Sequence, residues 1–247
     1  MNIYKPKLSL ILVLICQLSL PAQNLFKAAI IGGVNFSQIN GDNQNGYNKI
    51  GGSLGIKGGF DIAPNIDLSA ELFYNNKGSK PSRDDLTLNS KSYLPTISLH
   101  TADMMVISNF YHKFNPSDEF YKISFHVGFS YGRLLRSQTE ITRYFNSIPN
   151  IAQYLNQHYK SSDFGFIFGC SYFITPRLGA TIRHTFSIGN LYTKSDSALP
   201  LAEVGDFKSF KPYYLSLHLF YNFILPNAKT SEKLEKNKKE INPLERL

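Results

Sequence analysis

Residues 121–131 read YKISFHVGFSY, and apolar and polar side chains alternate along this stretch. Large apolar side chains occupy every second position, namely Tyr121, Ile123, Phe125, Val127, Phe129 and Tyr131. The positions between them hold Lys122, Ser124, His126, Gly128 and Ser130. A period of two is the pattern of a β-strand with one apolar and one polar face. The stretch therefore predicts a strand whose apolar face meets lipid or a protein core.

The same alternation returns in seven other segments, so the sequence predicts eight strands. Connections after odd-numbered strands are long, whereas those after even-numbered strands are short. Outer-membrane barrels show this asymmetry, with long loops outside the cell and short turns in the periplasm. The sequence predicts an all-β fold, an eight-stranded antiparallel up-and-down transmembrane β-barrel. The expected strands are 27–37, 49–61, 66–75, a segment within 93–114, 121–131, 164–174, 178–187 and 214–223.

Some boundaries are less regular than this scheme. Pro95 and the run Met104-Met105-Val106 leave the register of the fourth strand open. The glycines of the second strand suggest tight curvature or a bulge. The expected loops include Gly78–Lys91 and Gln138–Lys160, the second with a short helix around Ile151–His158.

The N-terminal residues have the pattern of a secretory signal peptide. Lys5 and Lys7 precede the apolar run Leu8–Leu20, and the small residues Pro21-Ala22 follow it as a cleavage site. Removal of residues 1–22 would leave a barrel over 23–225 and a charged tail over 226–247. The mature chain would then keep one cysteine, Cys170, so we expect no disulfide within it.

The composition also indicates a membrane barrel. After the signal, no apolar stretch approaches the roughly 20 residues that a spanning helix needs. The chain has 15 Tyr, 19 Phe and no Trp, so an aromatic girdle at the membrane surface must consist of Tyr and Phe. We expect the outer membrane, with outer-membrane lipids as surroundings and both termini in the periplasm.

A soluble barrel of the lipocalin type is the alternative fold. It has the same period of two but turns its apolar face inward. The absence of Trp removes that family's glycine and tryptophan signature near the first strand. Charged residues opposite the apolar face, such as Lys57, Glu71 and Arg183, suit a packed polar interior better than a solvated surface.

The formal net charge of +8 does not by itself indicate a nucleic-acid partner. Nucleic-acid binding needs a clustered basic face with stacking aromatics. Here the basic residues are scattered over loops, inward positions and the C-terminal tail, so we expect no nucleic acid. The functional alternative is attraction to anionic lipid headgroups or acidic glycans.

Charged and imidazole side chains on the polar strand faces predict an interior network. Charges buried in a barrel too narrow for a channel must be paired. The expected members are Lys57, Glu71, Lys122, His126, Arg183 and His218. The six histidines include no spaced ligand pair, and the Gly41–Gly46 loop lacks the remaining acids of a calcium loop. We therefore expect neither a metal nor a cofactor.

An enzyme at the outward rim is the alternative to a plain barrel. The candidate residues there are Ser82, Asp84, Asp85, Ser90, His100, Asp103 and His158. They show no Gly-x-Ser-x-Gly motif and no fixed triad spacing. We expect a non-enzymatic protein without catalytic residues, and keep a lipid- or peptide-acting rim enzyme as the third hypothesis.

The first hairpin resembles a known family. Residues 33–42 read GVNFSQINGD and are followed by GYNK at 46–49, while residues 71–74 read ELFY and Lys77-Gly78 follow. These motifs, within Gly32–Ser79, are similar to the PorT-like outer-membrane β-barrel family common in Bacteroidetes. The resemblance implies an outer-membrane barrel of eight strands. Because the founding member is linked to type IX protein secretion, it also implies the second functional hypothesis, an accessory component of secretion.

The C-terminal region suggests further partners. Tyr221-Asn222-Phe223 resembles the terminal aromatic strand read by the barrel-assembly machinery. The segment after it is rich in Lys and Glu, which is typical of a solvated tail. The alternative is a docking segment for a periplasmic or secretion partner. The leading hypothesis remains a small barrel with a structural or binding role.

Overall fold

The described part of the chain forms one closed ring of eight antiparallel strands in a computed structural model. It comprises residues 26–42, 44–63, 65–83, 85, 94–115, 120–141, 156, 158–191 and 210–225. The strands are β1 (Phe26–Asn40), β2 (Lys49–Ala63), β3 (Ile66–Ser79), β4 (Pro95–Asn115), β5 (Phe120–Ile141), β6 (Ser162–Phe173), β7 (Leu178–Ser187) and β8 (Lys211–Ile224). Each strand pairs with its sequence neighbours, and β1 pairs with β8 to close the ring. The up-and-down fold predicted from the sequence is confirmed.

The outer surface of the ring is apolar. In β5, Phe125, Val127 and Phe129 are exposed while Ser124, His126 and Ser130 are buried. The Met104–Val106 run, whose register the sequence left open, places Met105 inward at 2% exposure, with Met104 and Val106 outward. A lipocalin-type barrel would have the opposite polarity, so this alternative is wrong. No helix in the described residues is long and apolar enough to cross a membrane.

Several strands reach further toward the long loops than the sequence indicated, and the extensions are longest in β5 and β3. β5 continues to Ile141, although we expected it to end at Tyr131 and a loop to begin at Gln138. β3 continues to Ser79, although we expected the connection to begin at Gly78. These extensions pair with β4 beyond the main apolar surface, where the exposed residues of β5 other than Leu135 are polar and the alternation disappears. Most of the predicted helix at 151–158 lies outside the described residues.

The interior is packed at half height by apolar side chains. This cluster consists of Ile31, Phe73, Met105, Ile107, Ile167 and Phe220. Arg183 contacts it, with its guanidinium 5.9 Å from the centroid of the Phe73 ring. Apolar side chains and the Arg183 guanidinium therefore occupy the interior at this level.

Inward-facing glycines of β2 allow the strands to approach closely. The β2–β3 ladder shifts register near Asp61 and Ala63, at the end of the strand rather than at the glycines. A Cβ on Gly51 would lie 2.0 Å from the Asn76 carbonyl oxygen, whereas a Cβ on the outward Gly52 would meet nothing within 4 Å. Gly51 is therefore required by the packing, and Gly52 is not.

This pair of neighbours gives a matched test of interior packing. We expect Gly51→Ala to lower the free energy of unfolding by about 1–3 kcal/mol, because the backbone of β3 must move away. Gly52→Ala should leave it unchanged or slightly raised, since alanine restricts the unfolded chain more than glycine. Urea titration of the detergent-folded barrel measures both values. Equal stability of the two variants would contradict close packing at Gly51.

Candidate functional site: the polar interior and the rim

A central ion cluster crosses the barrel. Glu71 on β3 and Arg183 on β7 lie on opposite sides of the ring, yet Arg183 Nη1 is 2.7 Å from Glu71 Oε2 and Nη2 is 3.3 Å from Oε1. Lys57 Nζ lies 3.7 Å from Glu71 Oε1. The Glu71 side chain is 0% exposed and that of Arg183 is 3% exposed. The bidentate pair therefore bridges the full width of the interior.

His126 completes this cluster. Arg183 Nε donates to His126 Nε2 at 3.3 Å. Since Nε2 accepts this bond, Nδ1 carries the ring proton. Three strands besides β3 thus contribute a side chain to the surroundings of one carboxylate: Lys57 on β2, His126 on β5 and Arg183 on β7.

A second ionic layer lies toward the long loops. Lys77 Nζ is 3.4 Å from Asp103 Oδ2 and 3.6 Å from Asp163 Oδ2. Asn75 Nδ2 donates to Asp103 Oδ2 at 2.8 Å, and Lys77 lies 5.2 Å from the ring centroid of Tyr214. This layer joins β3, β4, β6 and β8 across the interior.

A third ionic layer lies toward the short turns. Lys27 Nζ is 2.5 Å from Asp61 Oδ1 and 3.0 Å from Asp67 Oδ2. Tyr111 donates its hydroxyl to Asp67 Oδ2 at 2.5 Å, and Asn109 Nδ2 donates to Asp67 Oδ1 at 2.5 Å. Both carboxylates of this layer therefore pair with one lysine, and Asp67 also accepts from neutral donors.

The structure brings together four of the six residues expected in the network. Lys57, Glu71, His126 and Arg183 form the central cluster. His218 lies apart from these contacts, 2.6 Å from Ser53 Oγ, and stacks on Phe73. Lys122 is on the inward side of β5 near its start, partly exposed, and forms no ion pair with any described residue.

The sequence prediction assigned no residue of the two outer layers to the network. Lys27, Lys77, Asp103, Asp163, Tyr111 and Tyr214 were not assigned to the network. The sequence did contain a signal for Lys77. It lies at an even spacing from Asp67, Glu71 and Phe73 along β3, which places it on the same face of the strand. Inward positions of the same strand share one face.

Those rim candidates for an enzyme that belong to the described residues do not converge. His100 lies on the outward face of β4, where its Nδ1 is 2.7 Å from the hydroxyl of Tyr74. Asp103 lies on the inward face of the same strand and pairs with Lys77. Asp85 accepts bonds from the backbone and hydroxyl of Ser82. His158 belongs to a separate segment, and Asp84 and Ser90 are outside the described residues.

A buried loop carboxyl lies beyond the strand ends. Asp42 is 0% exposed and accepts from Gln38 Nε2 at 3.2 Å and from the Gln44 backbone at 3.1 Å. Burial raises the pKa of Asp42 to about 7, and the nearby Asp85 also raises it. Within the described residues, no three His, Cys, Asp or Glu side chains group to hold a metal ion.

Solved structures that are similar to this chain include the following three. Neisserial surface protein A is 14% identical, covering 81% of this chain and 97% of that chain with a TM-score of 0.43. Ail of Yersinia pestis, in complex with the heparin analogue sucrose octasulfate, is 12% identical, covering 81% and 99% with a TM-score of 0.41. The outer membrane enzyme PagL is 11% identical, covering 79% and 98% with a TM-score of 0.36. At these values the likeness carries no functional argument.

No curated protein matches the chain. The sequence family described as "Outer membrane protein beta-barrel domain" matches residues 21–193. This match covers well over half of the chain and includes the strands that supply Lys57, Glu71, His126 and Arg183. The protein therefore belongs to the outer membrane protein beta-barrel domain family and is an outer-membrane protein surrounded by membrane lipids.

Proposed function

We propose that the protein is a non-enzymatic barrel with a closed interior, which holds its long loops at the cell surface in a structural or binding role. The observation that carries this proposal is the Glu71–Arg183 pair, which joins opposite strands of the ring. One ionic layer lies on the long-loop side of this pair and another on the short-turn side, and the apolar cluster lies at half height. Together, these side chains would close the interior. The loops then remain as the part available to a partner.

The absence of catalysis is part of this proposal. His100 and Asp103 point to opposite faces of β4, so they cannot act as acid and base on one substrate. The Ser82 hydroxyl is held by Asp85 without a histidine among its described bonds. Hydrolysis of a phospholipid or peptide by the refolded barrel that is lost in Ser82→Ala or Asp103→Ala would contradict the proposal.

Ion conductance tests the closed interior. We expect the folded protein in a planar lipid bilayer to show no steady single-channel current. The variant Glu71→Ala/Arg183→Ala removes the pair that crosses the barrel, so it serves as the matched control in which brief openings are expected. Steady conductance of the unchanged protein would contradict a closed barrel.

The orientation is also a proposal, and it is supported by the short turns and long loops. An epitope inserted within residues 192–209 should be labelled by antibody on intact cells, whereas an epitope after Leu247 should be labelled only after permeabilisation. The reverse result would place the long loops in the periplasm.

The second candidate function is an accessory role in protein secretion. The observation that favours it is the resemblance of Gly32–Ser79 to the PorT-like family. Under this hypothesis, periplasmic or secretion partners would cross-link to the protein and be lost when residues 226–247 are removed. Engagement by the barrel-assembly machinery during biogenesis would not depend on that tail.

A further inference from the structure

A basic patch lies on the outward face of the barrel at its long-loop end. We define it as Arg133, Arg136 and Lys160, with His100 beside them. Arg133 and Arg136 are exposed on β5, and Lys160 is exposed just before β6. The Leu134 backbone N–H donates to the Ser161 carbonyl at 2.8 Å, which places the two segments side by side.

A β-bulge creates this patch. Residues at a spacing of three normally lie on opposite faces of a strand. Here Arg133 pairs with Ala102 while Arg136 pairs with His100, so β5 uses one extra residue between them. Since Ala102 and His100 share the outward face of β4, both arginines point outward, at a distance of about 7 Å along the strand.

The patch lies directly above the lipid-facing surface. Tyr131, the next outward residue of β5, packs against Phe164 of β6 with ring centroids 5.0 Å apart. Phe164 is 60% exposed, as expected for a side chain that meets lipid. The step from Tyr131 to Arg133 therefore crosses from the apolar surface to the level of the lipid headgroups.

The charges of the patch are not paired within the described part of the chain. Among the described residues, neither Arg133 nor Arg136 forms an ion pair. Asp163 on the neighbouring strand points inward to Lys77. Glu140, an exposed carboxylate on the same face, lies four β4–β5 residue pairs beyond Arg136. The patch thus keeps an excess of positive charge.

We propose that this patch binds the phosphate groups of an anionic glycolipid in the surrounding outer leaflet. Arginine pairs bidentately with phosphate, and two guanidinium groups on one face can hold one or two phosphates of a headgroup. The acyl chains of such a lipid would lie along Tyr131, Phe164 and the apolar residues below them. The assignment to the outer leaflet rests on the proposed orientation of the long loops.

The test measures lipid binding by the folded full-length mature protein in neutral detergent. Native mass spectrometry follows the binding of phosphorylated lipid A, with dephosphorylated lipid A and inorganic phosphate as separate probes. Each cation near an anionic headgroup contributes about 1 kcal/mol, or about fivefold in affinity. We therefore expect Arg133→Gln/Arg136→Gln to weaken binding of phosphorylated lipid A about 25-fold.

The matched control removes two exposed cations at the same end of the barrel but away from the patch. Lys80→Gln/Lys211→Gln has the same change in net charge and should bind within about twofold of the unchanged protein. Arg133→Lys/Arg136→Lys retains both charges, so its affinity for phosphorylated lipid A should fall only a few-fold. Migration of unheated samples on a gel verifies that each variant is folded.

Several outcomes would overturn the proposal. In the first, Arg133→Gln/Arg136→Gln and Lys80→Gln/Lys211→Gln weaken lipid binding equally. In the second, dephosphorylated lipid A binds as tightly as phosphorylated lipid A. In the third, inorganic phosphate displaces the lipid at equal phosphate concentration. Binding in detergent does not depend on orientation in the cell. Failure here and failure of the epitope experiment are therefore separate results.

Discussion

Replacement of Glu71 with Gln is expected to lower the free energy of unfolding by about 3–5 kcal/mol, because it leaves the buried Arg183 and the partly buried Lys57 without their carboxylate. The Arg183 guanidinium is 2.7 Å from Glu71 and Lys57 is 3.7 Å from it. Arg183 gains no new anionic partner among the described contacts, whereas Lys57 keeps an electrostatic interaction with Asp67. The measurement is urea unfolding in detergent micelles, followed by the difference in gel migration between folded and unfolded chains.

Two further variants make this result specific. Glu140→Gln removes an exposed carboxylate and should change the stability by less than about 0.5 kcal/mol. Glu71→Gln/Arg183→Met removes both members of the pair and should cost less than the sum of the two single changes. A loss below 1 kcal/mol for Glu71→Gln would show that the pair is not the main support of the interior.

Val127→Arg is expected to destabilise the barrel by about 2–4 kcal/mol, since it places a charge on the lipid face near the middle of the membrane. Val127 is 43% exposed and lies between Ser108 of β4 and Phe168 of β6. Gln138→Arg is the control, because this residue is exposed on the same strand beyond the apolar surface. The control should lose no more than about 1 kcal/mol.

Refolding into phospholipid vesicles followed by urea titration gives both values. A similar small loss in the two variants would mean that Val127 does not face lipid. A large loss at Gln138 instead would shift the membrane boundary toward the long loops. The first result would contradict the polarity assigned to β5, and the second would contradict the assigned position of the membrane boundary.

The sequence predicted the apolar half of each strand well and the polar ends poorly. Lipid demands an apolar side chain at every outward position, so the alternation around Phe125 and Val127 is strict. Above that level water replaces lipid, and both faces of β5 become polar. The end of β5 at Ile141 was missed for this reason.

The ion network was predictable in part for a related reason. Glu71 and His126 stand out because each lies between apolar neighbours, and Arg183 stands out because it follows Ile182 on the polar face of a regular strand. Asp103 lies where the alternation of β4 is weak, and was assigned to the rim instead of the interior. The odd spacing of His100 and Asp103 was the signal that they face opposite ways.

The sequence by itself determined the class of fold, the lipid-facing surface and the polarity of the interior, because these follow from a period of two repeated along each strand. Only the tertiary structure decided which charges meet, since Glu71 and Arg183 lie far apart in sequence and become neighbours when the ring closes. It also decided that Arg133 and Arg136 share a face. That result depends on one extra residue in the β4–β5 ladder, which side-chain spacing does not reveal.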